Sequence, residues 1–325
     1  MNDTIYAVTR VHYQEQNMLD RGDLERLIAA KTVREALRLL RDRGWGSQEL
    51  KEDDPDALIA YEQARTWALA EELIKDLKPF SLFRLNADYQ NLKAAIKFQS
   101  TRHAAGDAQR YMLPGGTIPP EALTKAAFER DFSALPPEMA EVAGRANEAL
   151  LRSGNGQLAD LILDAGALTA IDLAGKASPS ALMRQYARIV VDGAVARIAF
   201  RAARMGLQRD ALEMAIPVAG SLDRKAIIAA ALTGPEAVLQ ALESTEYAGA
   251  AAEGQKSAAA LERWFDDYLM EKLRPQRRVY EGYDPIAAFL IGREREIDAV
   301  RLILAALQNN ISGDRIQERL RALYV

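Results

Sequence analysis

The sequence predicts an all-α fold built from three similar helical domains around a pseudo-threefold axis. Three observations carry that prediction. First, apolar residues recur at three- and four-residue spacing along nearly the whole chain, and only RIVVD at 188–192 reads as β-like. Second, the chain repeats itself. Asp88–Phe128 and Asp192–Leu232 align without a gap at an offset of 104 residues. That register matches Asp88 with Asp192, Lys93 with Arg197, Ile96 with Phe200 and Gly116 with Gly220. Ile118 and Leu123 likewise match Leu222 and Ile227. A further step of 104 puts Glu296, Arg301 and Leu304 on the same three helix positions. Alanine identities count for little in an alanine-rich chain, so the acidic, basic and glycine positions carry the register. Third, prolines, glycines and short polar side chains fall between the periodic segments, where helices start and stop.

The elements follow in order. Residues 4–19 read as a helix with Ile5, Val8 and Val11 on one stripe. Asp20 and Asp23 are the expected caps of a short helix at 23–31. Thr32, with Glu35 three residues on, caps the next, and Gly44 ends it. A second T-x-x-E pair, Thr233 and Glu236, predicts the same cap before AVLQAL. A helix is expected from Asp56 to Lys78, stopped by Pro79. The first long repeat helix spans 81–100. A polar loop at 101–117 ends in Pro114-Gly115-Gly116, and a helix at 119–130 follows. Helices at 138–152 and 157–175 are divided by Ser-Gly-Asn-Gly. The second long helix covers 179–205. There the repeat register outweighs the β-like run. Helices at 208–216, 223–231, 234–244 and 256–274 precede the third long helix at 284–308. The repeating units start near Leu19, Ile118 and Leu222, and the leftover N- and C-terminal helices are expected to pair. A repeat of about 85–105 residues is too long for the common helical solenoids, whose units run to roughly 34–47. The expected domains are 1–112, 113–218 and 219–325.

Composition excludes several functions. Hydrophobic residues make up 49% of the 325, enough for a sizeable core. The net charge of −4 argues against a large nucleic-acid surface. With no cysteine there is no disulfide frame, thiolate metal site or cysteine nucleophile. No run approaches the ~20 apolar residues that cross a bilayer, and MNDTIYAV does not read as a signal peptide.

The search for chemistry is mostly negative. His12 and His103 are the only histidines, and neither has an informative neighbourhood. Gly154-Asn155-Gly156 with Ala159 has dinucleotide-loop spacing, but it follows a helix rather than a strand, so it reads as a turn. Pro114-Gly115-Gly116 lacks the Gly-Lys-Ser/Thr of a phosphate loop. Glu294 and Glu296 read as solvated unless something buries them. Lys93, Arg197 and Arg301 admit two readings: a repeated ion pair inside each unit, or a ring of positive charge facing a shared axis. Arg274, Arg277 and Arg278 with Tyr280 and Tyr283 form a basic, aromatic cluster suited to an acidic partner or lipid head groups, or are an ordinary solvated loop. No catalytic, cofactor or metal residue is expected.

YAVTRV, DLERLIAAKTVREALRLL, NADYQNLKAAIK followed by LPGGTIPPE, VDGAVARIAFR and DPIAAFLIGREREIDAVRLIL, in that order, resemble the C subunit of V-type and A-type ATP synthases, called d in the eukaryotic enzyme. The likeness covers nearly the whole chain. The second copy has Val195-Ala196 where the first has Asn91-Leu92, so it departs from the pattern there. The resemblance implies a funnel of three helical domains and a non-catalytic rotor part at the cytoplasmic face. It implies as partners the shaft subunits D and F and the proteolipid c-ring. Under it, the loops at Gly115-Gly116, Gly220 and Gly313, with Lys93, Arg197 and Arg301, are the candidate partner interface. The alternatives are a free-standing helical adaptor and an enzyme assembled from carboxylates across units.

Overall fold

The computed structural model describes residues 2–51, 53–100 and 105–325. The helices are α1 (Asn2–Glu15), α2 (Arg21–Ala29), α3 (Val33–Asp42), α4 (Pro55–Leu73), α5 (Leu85–Ser100), α6 (Ala105–Ala108), α7 (Pro120–Glu129), α8 (Pro137–Ser153), α9 (Gly156–Ala177) and α10 (Ala181–Met205). They continue as α11 (Arg209–Ala215), α12 (Arg224–Thr233), α13 (Pro235–Glu243), α14 (Ala248–Lys256), α15 (Ala258–Leu273), α16 (Asp284–Gln308) and α17 (Gly313–Arg319). No strand occurs among the described residues, so the fold is all-α as expected. RIVVD lies inside α10. No helix among the described residues is long and apolar enough to cross a membrane.

The chain packs as two compact units. One holds Met1–Lys78, Ser180–Met183 and Phe265–Val325; the other holds Pro79–Pro179 and Arg184–Trp264. In the first, α16 is the spine. Its Ile297, Val300, Ile303 and Leu304 pack with Leu24 and Leu27 of α2, Leu37 and Leu40 of α3 and Leu58 of α4. The N-terminal helix α1 and the C-terminal α17 each contact this unit's spine, α16. In the second, Leu92 and Ile96 of α5 pack with Leu123 of α7, Met139 and Leu150 of α8 and Leu163 of α9. Burying a side chain of this size contributes about 1.5–3 kcal/mol, which accounts for the stripe periodicity read in the sequence.

Several boundaries differ from expectation, each for a local reason. α4 stops at Leu73, not at Pro79: Ile74 is extended (φ −128°, ψ 123°) and turns its side chain into the core. The start of the first long helix, Lys78–Arg84, winds as a 3-10 segment. Asp20 caps α2 in a reciprocal box with Asp23, and Thr32 caps α3. Thr233 is no cap. It ends α12, its hydroxyl donating to the Ala229 carbonyl, because Pro235 takes the first turn of α13 and moves the cap to Gly234. Helix α14 has no counterpart in the predicted elements. Its buried face is only Ala250, Ala251 and Gly254, too slight a stripe to read. His103 lies outside the described residues.

Candidate functional site

The register of 104 residues is physical. Asp88, Asp192 and Glu296 are each fully buried on a long helix, and each accepts the backbone N–H of a unit's first residue. Ile118 donates to Asp88 at 3.0 Å, Leu222 to Asp192 at 3.3 Å and Leu19 to Glu296 at 2.8 Å. Ile118, Leu222 and Leu19 each stand immediately before a helix cap, namely Pro119, Asp223 and Asp20. A hydroxyl reinforces the first two copies: Thr117 Oγ1 to Asp88 at 2.7 Å and Ser221 Oγ to Asp192 at 2.6 Å. The Ser221 N–H at 2.9 Å and the Tyr247 hydroxyl at 2.7 Å add two further donors to Asp192. In the third copy charge replaces hydroxyl. Arg293 pairs with Glu296 at 2.7 Å and also with Glu62, a fully buried carboxylate that takes the Gly46 N–H at 2.7 Å.

Burial pushes all three clasp carboxyls above the ordinary carboxylate range. Their hydrogen bonds, and Arg293 for Glu296, pull the other way without cancelling it. Raised carboxyls are the acid–base signature that would favour a catalytic reading. Here each is closed over by main chain, and a recurring position is a fold element before it is a unique active site.

The glycines fit this clasp. A Cβ on Gly116 would lie 2.5 Å from Asp88 Oδ1, and one on Gly220 would press still closer on Asp192 Oδ1. The small residue lets the loop approach the carboxylate. Arg84, which carries no signal in the sequence pattern, donates to the carbonyls of Gly115 and Gly116 and ties that loop to the start of α5. Gly313 opens α17 beside Ile28 of α2.

Lys93, Arg197 and Arg301 each reach a polar side chain on another helix. Lys93 pairs with Asp164 of α9 at 2.6 Å. Arg197 lies 3.9 Å from Glu262 of α15, which Arg201 also holds at 3.1 Å. Arg301 donates to Gln63 of α4 at 3.2 Å and pairs with Asp298. Glu294 is half-buried, not solvated as expected: Gln63 and Trp67 donate to it at 3.2 and 3.0 Å.

Asn91 explains the worn second copy. Its amide both accepts from Leu113 N at 2.6 Å and donates to Leu113 O at 2.8 Å. One register later Leu113 becomes Pro217, which has no N–H to satisfy. Val195, fully buried, then stands where the asparagine did. The two positions differ together between the copies, as the reciprocal hydrogen bonds that link them in the first would require.

A profile of the ATP synthase (C/AC39) subunit matches residues 7–319. The C subunit of the A-type ATP synthase from Desulfurococcus sp. (strain SY) is 23% identical over 158 residues, which is 47% of this chain and 43% of that protein. The chain thus aligns with less than half of that relative's length. The whole-length profile match, together with an all-α fold in which one buried-carboxylate clasp recurs, leads to one conclusion: the chain belongs to the ATP synthase (C/AC39) subunit family.

Proposed function

We propose that this protein is the non-catalytic central-stalk component of a rotary V/A-type ATP synthase or ATPase, joining shaft subunits D and F to the proteolipid c-ring at the cytoplasmic face of the membrane. The observation that supports this reading is the recurrence of the clasp in three places along the chain. Taken as three domains, 1–112, 113–218 and 219–325, the first clasps the start of the second through Asp88 and the second the start of the third through Asp192. The third returns to the first through Glu296 and Leu19. Three copies of one clasp suit a protein built from three similar helical domains, which is the architecture proposed for a shaft socket. A torque coupler must be stiff, and densely packed helices joined by buried hydrogen bonds resist deformation. Ser180, at the start of α10, donates to Asp284, at the start of α16, at 2.5 Å; these positions are again one register apart.

In this reading the loops at Gly115-Gly116, Ala219-Gly220 and Ser312-Gly313 contribute to partner contact. The test is co-purification of the full chain with D, F and the c-ring. Charge reversals at Lys93, Arg197 and Arg301, and acidic substitutions in the three loops outside the glycines, are expected to weaken recovery of one partner or more. Undiminished assembly in all variants, with folding unchanged, would remove these residues from the interface. Failure of the wild-type chain to bind any rotor component would favour the adaptor alternative.

A further inference from the structure

We propose that the basic cavity beside α1 is a binding site for a phosphate group. The open cavity has a volume of about 910 Å³ and is lined by His12 and Glu15 of α1, by Glu271 of α15, and by Arg274, Arg277, Arg278 and Tyr280 of the segment after α15. Three guanidinium groups within five residues stand out in a chain of net charge −4. Planar guanidinium forks match phosphate oxygens two at a time.

The three arginines are not equivalent. Arg274 is anchored by its bond to the Leu323 carbonyl at 2.7 Å. Arg277 lies 5.9 Å over the Tyr324 ring, and its nearest carboxylate, Glu15, is 4.0 Å away. Arg278 is exposed and has no carboxylate partner among the described residues. So two cations are held in place and the third is free to engage a ligand. A buried ring nitrogen of the same lining, His12 Nε2, also has no hydrogen-bond partner among the described residues. Tyr280 is 70% exposed and stands edge-on to His12 at 5.4 Å, which fixes an aromatic ring at the mouth.

Three arginines outnumber the two carboxylates of the lining, and Glu15 is turned into the protein rather than toward the mouth. It is 6% exposed, Arg277 lies 4.0 Å from it, and burial raises its carboxyl above the ordinary value. Phosphate ester chemistry has two sources here, a lipid head group or a soluble phosphate. The exposed Val279, Tyr280 and Tyr283 beside the arginines are compatible with the first. The site is independent of the rotor reading, since none of its residues belongs to the clasps or the loops above.

The full-length chain would be titrated with pyrophosphate by calorimetry and sedimented with three kinds of vesicle: phosphatidylcholine alone, with phosphatidic acid, or with oleic acid at matched charge. Saturable binding to pyrophosphate or to phosphatidic acid vesicles is expected. Binding to only the vesicles assigns the lipid source, and binding to only pyrophosphate the soluble one; both support the phosphate site. R278Q is expected to weaken binding about fivefold or more, while R21Q, a charge loss at an exposed arginine of α2, leaves it unchanged. The thermal midpoint is read alongside. Arg277 lies over a core tyrosine, so the test substitutes Arg278 alone. Absent binding to both phosphate probes, equal binding to oleate vesicles, or full affinity in folded R278Q overturns the proposal.

Discussion

Gly220 has φ +51° and sits where a Cβ would enter Asp192. Gly220→Ala therefore carries both a left-handed backbone, about 1–2 kcal/mol for an L residue, and a clash with a buried carboxylate. A loss of roughly 2–3 kcal/mol is expected, read as a lowered urea midpoint of the full chain. An unchanged midpoint would mean that the loop relaxes freely. Asp192 itself has a signed pH dependence. Its folded pKa is raised by burial, so the native state holds its proton more tightly than the unfolded chain does. The stability it contributes is full below the ordinary carboxylate pKa of about 4 and is lost as pH rises through the raised value. Wild type should therefore lead Asp192→Asn by most in acid, and the lead should shrink from about pH 4 toward neutrality. Urea midpoints of both proteins across that range check this, and a lead that is constant or grows with pH would contradict it.

At the scale of an element, the long helices carry two kinds of polar contact with different weights. The Asn91–Leu113 pair satisfies a main-chain N–H and C=O in a half-buried loop. Asn91→Ala is expected to destabilise by about 1–3 kcal/mol, because Leu113 loses both partners. Val195→Asn should not restore a clasp in the second copy. Pro217 has no N–H to donate, so a buried amide is left unsatisfied and a loss of about 1–3 kcal/mol follows. A gain in melting temperature for Val195→Asn would refute this pairing. Lys93–Asp164 is different: Asp164 is 47% exposed, so solvent screens the pair. A double-mutant cycle should return a coupling of only about 0.5 kcal/mol that falls with salt.

At the scale of the molecule, the unit that contains both chain ends relies on a buried ion network. Arg293 is 11% exposed, holds Glu62 and Glu296, and lies 4.6 Å over the Trp45 ring. Arg65 also reaches Glu62, at 3.5 Å, but from a half-exposed position. Arg293→Met removes the cation that bridges two buried carboxylates and should cost about 3–5 kcal/mol. Adding Glu62→Gln and Glu296→Gln should recover much of that, since the isolated charges, not the lost contact, dominate the penalty. Calorimetry of the single and triple variants tests the order. A triple variant less stable than Arg293→Met would overturn it.

Much of this is legible in the residues. Helical periodicity determines the all-α class, because burial of an apolar stripe is a local consequence of spacing. The 104-residue register locates Asp88, Asp192 and Glu296, and the unit starts at Ile118 and Leu222, because a repeated fold needs the same polar contact at the same place. The basic cluster at 274–278 is visible as composition. The tertiary structure alone decides what each charge meets. Glu294 reads as solvated yet lies against Trp67, 227 residues away in sequence. Arg293 and Glu62 give no periodic signal, since an ion pair 231 residues apart leaves none. Nor does spacing tell that the third clasp closes on Leu19, 277 residues back. Stripe and cap are written within a few residues, whereas the partner of a buried charge is set by whichever distant element the packing of the stripes brings against it.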